Sequence, residues 1–224
     1  MTRPVSNHRR WIRPPRTAST VMHDQEKANF EMTTTADAIT TSGVPAPEGW
    51  TAGTWTIDPA HSSVGFAVRH LMSRVRGTFS EVSGQIVTGP DPSRSVATAT
   101  IAVSSVSTGH DMRDAHLRSA DFFDAGHYPV MTFASTALRP ADGSWVLSGD
   151  LTIRDVTAPV ELEVAFLGTD PTGLQGETRI GFSARGAISR RDSGIAFGLA
   201  ADGTKIVVDD RVEVTLDVEA FLDA

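Results

Sequence analysis

Short rows of alternating apolar and polar residues, separated by turn formers, run from Trp55 to the end of this chain and restrict it to antiparallel β-structure. Val64, Phe66, Val68 and His70 share one face, with Gly65, Ala67 and Arg69 on the other. Val160, Leu162, Val164 and Phe166 alternate with Glu161 and Glu163. Ile180, Phe182, Ala184, Gly186 and Ile188 form a third row, and Val212, Val214, Leu216 and Val218 a fourth. Further strands are expected at Val75 to Val87, Ala97 to Ser107, Val130 to Leu138 and Trp145 to Ile153. Gly89-Pro90-Asp91-Pro92, Pro140 to Gly143 and Asp170 to Gly173 separate strands as turns. About eight strands result, and closing the sheet on itself removes two exposed edges. The expectation is an all-β fold, an extended eight-stranded antiparallel barrel with one short helix; a two-sheet sandwich competes with it.

The single helical stretch is Asp111 to Ser119, with Asp111 placed to cap it, Asp114 in its first turn and Arg118 four residues on for an ion pair. Behind it, Asp121-Phe122-Phe123-Asp124 sets two rings between charges and reads as a lid at the barrel mouth.

Residues 1–52 are rich in Thr, Ala, Pro and Arg without sustained periodicity, and read as a disordered N-terminal extension ahead of a barrel over 53–224. Arg9-Arg10 resembles a twin-arginine export signal, but Pro14, Pro15 and Arg16 stand where such a signal needs an apolar stretch. A cytoplasmic location is expected, and translation from Met22 or Met32 is an alternative start. The formal charge is −7; five arginines precede the first acid, Asp24, so the remainder carries five fewer positive charges, about −12. A body that acidic repels a phosphate backbone, which excludes nucleic acid as a partner. The chain has no cysteine, hence no disulfide and no thiolate site.

The residues Asp58-Pro59-Ala60-His61-Ser62, Phe66 to Leu71 and Gly77-Thr78-Phe79 stand in a recognisable order. They continue with Arg113-Asp114-Ala115-His116-Leu117, Asp121-Phe122-Phe123, Tyr128-Pro129, Gly149 to Ile153 and Ile188-Ser189-Arg190. Together they resemble the YceI-like family of polyisoprenoid-binding proteins over 53–224. The resemblance implies a lipocalin-like barrel whose long apolar cavity holds an isoprenoid chain, a quinone tail or a polyprenyl phosphate. No other cofactor and no catalysis are expected. Gly53-Thr54-Trp55 resembles the Gly-x-Trp of lipocalins, where the indole closes one barrel end. Two positions depart from the family pattern: Asp155 stands where glycine is usual, and Ser193 where an aromatic is usual.

Inward rows either line a hollow bore or fill it, and only the resemblance favours the bore. The lining is expected from Phe66, Val68, Phe79, Ile101, Val103, Phe122, Phe123, Phe133, Leu151, Val164 and Phe182. His70 continues the row of Phe66 and Val68, so its ring needs a partner: a ligand headgroup, Arg113 and His116, or strand-end backbone. Arg113 and His116 share a helix face and offer donors to a carbonyl or phosphate, while Arg113 has the alternative of pairing with Asp114, Asp121 or Asp124. No histidine spacing fits a helical metal pair, and no Gly-x-Ser-x-Gly elbow occurs; neither a metal nor a hydrolase site is expected. Asp58 and His61 read as a turn that bonds its own backbone. An enzyme acting on a small amphiphile through His70, Arg113 and His116 is the alternative function. Transient membrane contact and a homodimer complete the expected partners.

Overall fold

Residues with branched and aromatic side chains on one face and polar ones on the other pair into strands that bury the apolar face. In the computed structural model, which describes residues 45–173, 176–198 and 208–223, these strands are β1 Gly53–Ile57, β2 Ser63–His70, β3 Ser73–Phe79 and β4 Val82–Thr88. They continue with β5 Val96–Ala102, β6 Val106–Ser107, β7 Val130–Ala141, β8 Ser144–Ile153, β9 Val156–Asp170, β10 Arg179–Ser189 and β11 Val208–Leu222. A helix, α1 Asp111–Arg118, separates β6 from β7. The described residues belong to one compact unit, Thr41–Ala224. Residues 1–44 of the expected extension lie outside them.

β1 and β2 are one kinked strand, as are β3 with β4 and β5 with β6, so eight staves result. β1 pairs with β4 and β2 with β3; β4 pairs with β5 and β3 with β6. From β5 the ladder runs through β7, β8, β9 and β10 to β11, every neighbour antiparallel. β11 then pairs with both β1 and β2. The sheet is a closed eight-stranded antiparallel barrel with a single helix among the described residues, and no stave is left with an open edge.

The kinks depart from the uninterrupted strands expected at Val75 to Val87 and Ala97 to Ser107. A closed barrel forces each stave to coil, and a break in the ladder absorbs the bend. Between β1 and β2 the break is held by Asp58, which accepts the Ala60 N–H (2.9 Å), bonds the His61 ring (2.7 Å) and takes Arg179 Nη1 from β10 (2.8 Å). Ser62 restores the ladder: its Oγ donates to the Glu219 carbonyl and accepts the Glu219 N–H, both at 3.1 Å. The expected self-bonding turn is therefore present, with Arg179 added as an anchor.

One end of the barrel is sealed. Trp55 is fully buried with Ile180 and Ala220, and its Nε1 donates to Thr88 Oγ1 (2.8 Å). Trp50 lies above this layer, with its ring 5.3 Å from Phe166 and 6.0 Å from Phe182 and its Nε1 on the Gly89 carbonyl (2.9 Å). The expected boundary at 52/53 thus falls after a residue that packs with the barrel. At the other end, Phe79 meets Phe66 and Phe123, each at 5.6 Å, above a buried layer containing Val64, Val106 and Ile153.

The helix start differs from expectation. His110, not Asp111, is the cap residue and makes no side-chain cap bond. Asp114 instead turns back and accepts both the backbone N–H (2.8 Å) and the hydroxyl of Thr108, fixing the chain's entry into α1. Arg118 does not pair with Asp114; it donates to the carbonyls of Ser104 (3.0 Å) and Val106 (2.6 Å), latching the helix to the β5–β6 stave.

Candidate functional site

The inner face alternates large and small side chains, and this keeps the centre open. Phe66 lies over Gly77 and Phe133 over Gly149, so close that a methyl group on either glycine would collide with the ring. Elsewhere Ala97, Ala99 and Ala184 line the wall where a larger residue would reach the axis. Rings packed over glycines, and alanines elsewhere in the wall, leave a cavity of about 440 Å³. On β11 the wall includes Val212, Val214, Leu216 and Val218, a length of about 20 Å at ~3.3 Å per residue. Such a volume drawn out over that length is a slot.

Of the residues expected in the lining, Phe66, Val68, Phe79, Ile101, Phe133, Leu151, Val164 and Phe182 are in this wall, and Phe122 and Phe123 cover it from the segment after α1. Val103 is not. The alternation breaks at Ala102, where a 3₁₀ turn over Val103–Ser105 rotates Val103 into the solid layer beside Val106, 1% exposed. Sequence reasoning missed Trp50, which closes the slot at the sealed end, because a lone aromatic before the first alternating row carries no periodic signal.

His70, Arg113, His116 and Arg190 bring charge and imidazole to the opposite end of the wall. His70 ends β2 opposite Val208, and its ring has no hydrogen-bond partner among the described residues. Arg113 makes none of the expected ion pairs; its Nε and Nη2 donate to the hydroxyl (2.6 Å) and carbonyl (3.1 Å) of Thr108. His116 bonds Asp121 through Nε2 (2.8 Å) and stands edge-on to Phe122 (5.1 Å) and Phe197 (4.9 Å). These three rings form the lid, and its Phe122 carbonyl takes a further bond from Arg154 (3.4 Å).

Arg190 was not singled out as a lining residue, although it extends the inward row from Ile180 through Ile188. It is 6% exposed and donates to the carbonyls of Asp209 (2.8 Å), Phe197 (2.9 Å) and Val208 (2.9 Å). Burial pulls its guanidinium below the ordinary arginine value, opposed by Asp210 and Asp209. Neither Arg113 nor Arg190 has a carboxylate within ion-pair distance among the described residues. Ser193, where the family usually has an aromatic, is 3% exposed and also in the wall; its small side chain, bonded to the Ser189 carbonyl (3.0 Å), leaves space a ring would occupy. At the other departure, the left-handed residue of the β8–β9 turn is Arg154 (φ +58°) and not Asp155, so position 155 makes no demand for glycine.

Away from the cavity, Asp58, His61 and Glu219 bring ligand-type atoms within 4.8 Å of one another. Arg179 Nη1 bonds both Asp58 and Glu219 there (2.8 and 3.0 Å), so the protein supplies its own cation to that cluster.

The sequence pattern of the YceI-like domain family matches residues 55–220, the stretch from the sealing tryptophan to the end of the barrel. The chain belongs to the YceI-like family. Among YceI-like relatives, Protein YceI of Escherichia coli O6:H1 is 39% identical over 139 residues, covering 60% of this chain and 71% of that protein. A UPF0312 protein of Staphylococcus aureus (strain MSSA476) is 34% identical over 170 residues, covering 74% of this chain and 95% of that protein. BcnA of Burkholderia cenocepacia superposes with a TM-score of 0.64 at 25% identity, over 73% of this chain and 99% of that one. A polyisoprenoid-binding domain from Saccharophagus degradans shares the YceI-like barrel with a TM-score of 0.58 at 18% identity, over 77% of this chain and all of that one.

Proposed function

We propose that this YceI-like barrel binds and carries, or sequesters, a long-chain isoprenoid lipid, tail in the slot and headgroup at the His70 end. The observation behind this reading is a continuous apolar slot, stopped at one end by Trp50 and polar at the other. Its volume falls within the range of small-molecule sites, about 300–1,000 Å³. A hydrocarbon tail gains about 25 cal/mol for each Å² of apolar surface removed from water, so length in a dry slot gives affinity without any charged contact. The Saccharophagus degradans domain with the same fold is described as polyisoprenoid-binding, which supports the same ligand class here.

The headgroup end favours a phosphate over a quinone. Arg113 and Arg190 face the slot with neutral bond partners only, and an anion there would complete both. Binding rather than turnover is part of this reading: His116 is held by Asp121 (2.8 Å), and Arg113 and Arg190 offer donors to a headgroup without a general base bonded to either. Residence in the cytoplasm belongs to this reading and is checked by cell fractionation.

The test is lipid extraction from protein purified in its native host, with mass spectrometry. A stoichiometric polyprenyl phosphate is expected; a preparation free of isoprenoid, and unable to take one up from detergent, overturns the reading. In competition assays Arg113→Gln should weaken polyprenyl phosphate by about tenfold, on the scale of one charge-assisted bond, and leave a quinone of equal tail length unchanged.

A further inference from the structure

The barrel end that holds His70 has an unusual outer surface. β2 and β3 are joined by two residues, Leu71 and Met72. Leu71 has φ +51°, the left-handed backbone that tight hairpins require and that glycine or asparagine adopts with least strain. A bulky aliphatic residue there is strained, and Met72 beside it is fully exposed at 101%. Neither packing nor turn geometry explains two large apolar residues at this tip. On α1, Met112, the residue before the wall residue Arg113, is 77% exposed, and Phe197, part of the cavity wall itself, 43%.

The strands below the tip are cationic. Arg69, Arg74 and Arg76 are all exposed on the outer face, and Arg69 stands directly opposite Arg74. Like charges in register weaken a hairpin. Arg74 is relieved by Glu213 on β11, whereas Arg69 and Arg76 have no ion pair among the described residues. In a chain of net charge −7, this hairpin concentrates uncompensated positive charge under an apolar tip. That combination matches an anionic lipid surface: apolar side chains enter the acyl boundary while arginines meet headgroups. It lies where the slot's wall reaches the surface, one residue beyond His70.

We propose that the β2–β3 hairpin docks the barrel, slot end first, on an anionic bilayer, with Leu71 and Met72 inserted and Arg69 and Arg76 on the headgroups. The proposal rests on the lipid-carrying reading, because a lipid whose tail fills the slot and whose headgroup lies at this end has to leave a bilayer. The docking surface is the hairpin; Phe122, half-buried in the lid with His116 and Phe197, belongs to the slot's cover and not to that surface.

Flotation of the full chain with vesicles of phosphatidylcholine, alone or mixed with phosphatidylglycerol, tests it. Binding to the mixed vesicles, weakened by salt, is expected. Leu71→Asn with Met72→Ser should lower partitioning by about tenfold or more. Asparagine tolerates the left-handed backbone, so loss of folding does not account for the effect. Arg69→Gln with Arg76→Gln should lower it by about fivefold per arginine. Both double variants should melt no lower than the parent and keep its uptake of a detergent-solubilised polyprenyl phosphate, while transfer of that lipid from vesicles slows. Absence of vesicle binding by the parent, or binding unchanged by Leu71→Asn with Met72→Ser, overturns the proposal. A dimer in light scattering that these substitutions dissociate would overturn it too, assigning the tip to self-association. Vesicle binding that persists when uptake from detergent fails would sink the carrier reading and leave the docking surface standing.

Discussion

Arg190 ties residues 190–198, which join no strand ladder among the described residues, to the first residues of β11. Its three bonds, to the carbonyls of Phe197, Val208 and Asp209, join the segment after β10 to the start of β11. A buried cation bonded to neutral oxygens is worth keeping only if those oxygens would otherwise be orphaned. Arg190→Met removes the cation and strands the carbonyls, so urea denaturation should show a loss on the order of 2–4 kcal/mol. Unchanged stability would show that water reaches those oxygens. Arg190 was legible in principle, since it prolongs the inward row of Phe182 and Ile188, but a charged residue at an inward position reads as the end of a strand. Val103 shows the converse error: counting by twos from Ile101 put it in the lining, and a single 3₁₀ turn voided the parity.

At the level of elements, α1 is eight residues long, too short to persist alone, so its order comes from attachments. Asp114 ties its start to Thr108 and Arg118 ties its last turn to Ser104 and Val106. Burial pushes the Asp114 carboxyl up, and the hydrogen bonds from Thr108 with Arg118 and Arg113 nearby outweigh it and hold it below the ordinary value. Arg118→Met should free the last turn: amide exchange in α1 should quicken by about tenfold, the equivalent of one lost charge-assisted bond, with the β8–β9 amides unaffected. Equal protection in the variant would show that the lid rings alone hold α1. The helix's existence and place were readable from the sequence, because Asp, Arg and His are poor strand residues set between strand rows. Its capping was not, because Asp114 bonds backward to Thr108 and local rules look forward from the cap.

For the whole molecule, alternation dictated antiparallel β-structure of about eight strands, while the choice of a closed barrel over a two-sheet sandwich rested on the cost of open edges and on the family resemblance. What alternation left open was whether the rows met or stood apart. The discriminating residues are Gly77 and Gly149, which accept the rings of Phe66 and Phe133, with Ala97, Ala99 and Ala184 as small residues elsewhere in the wall. Small residues on inward positions were visible in the sequence, but which ring each one faces depends on register between strands. Closure also sets the response to acid. Burial raises the Asp58 carboxyl, and bonds from His61, Arg179 and the Ala60 N–H outweigh it and hold it below its ordinary value. A carboxyl held low in the folded state stabilises the fold above the unfolded value of about 3.9 and loses that contribution as pH falls through the lower folded value. The melting temperature should therefore drop steeply below pH ~4, and Asp58→Asn should start lower at neutral pH and flatten that drop. A parallel decline in parent and variant would place the acid sensitivity elsewhere.

The position of Trp50 gives the protein an optical gauge of its own contents. Trp55 and Trp145 are buried outside the wall, whereas the Trp50 indole forms part of it, against Phe166 and Phe182. A hydrocarbon sliding down to the stopper displaces water from that indole, so emission should shift to the blue on filling and return on delipidation. Trp50→Phe should abolish the shift, which turns one aromatic side chain into a label-free titration of occupancy.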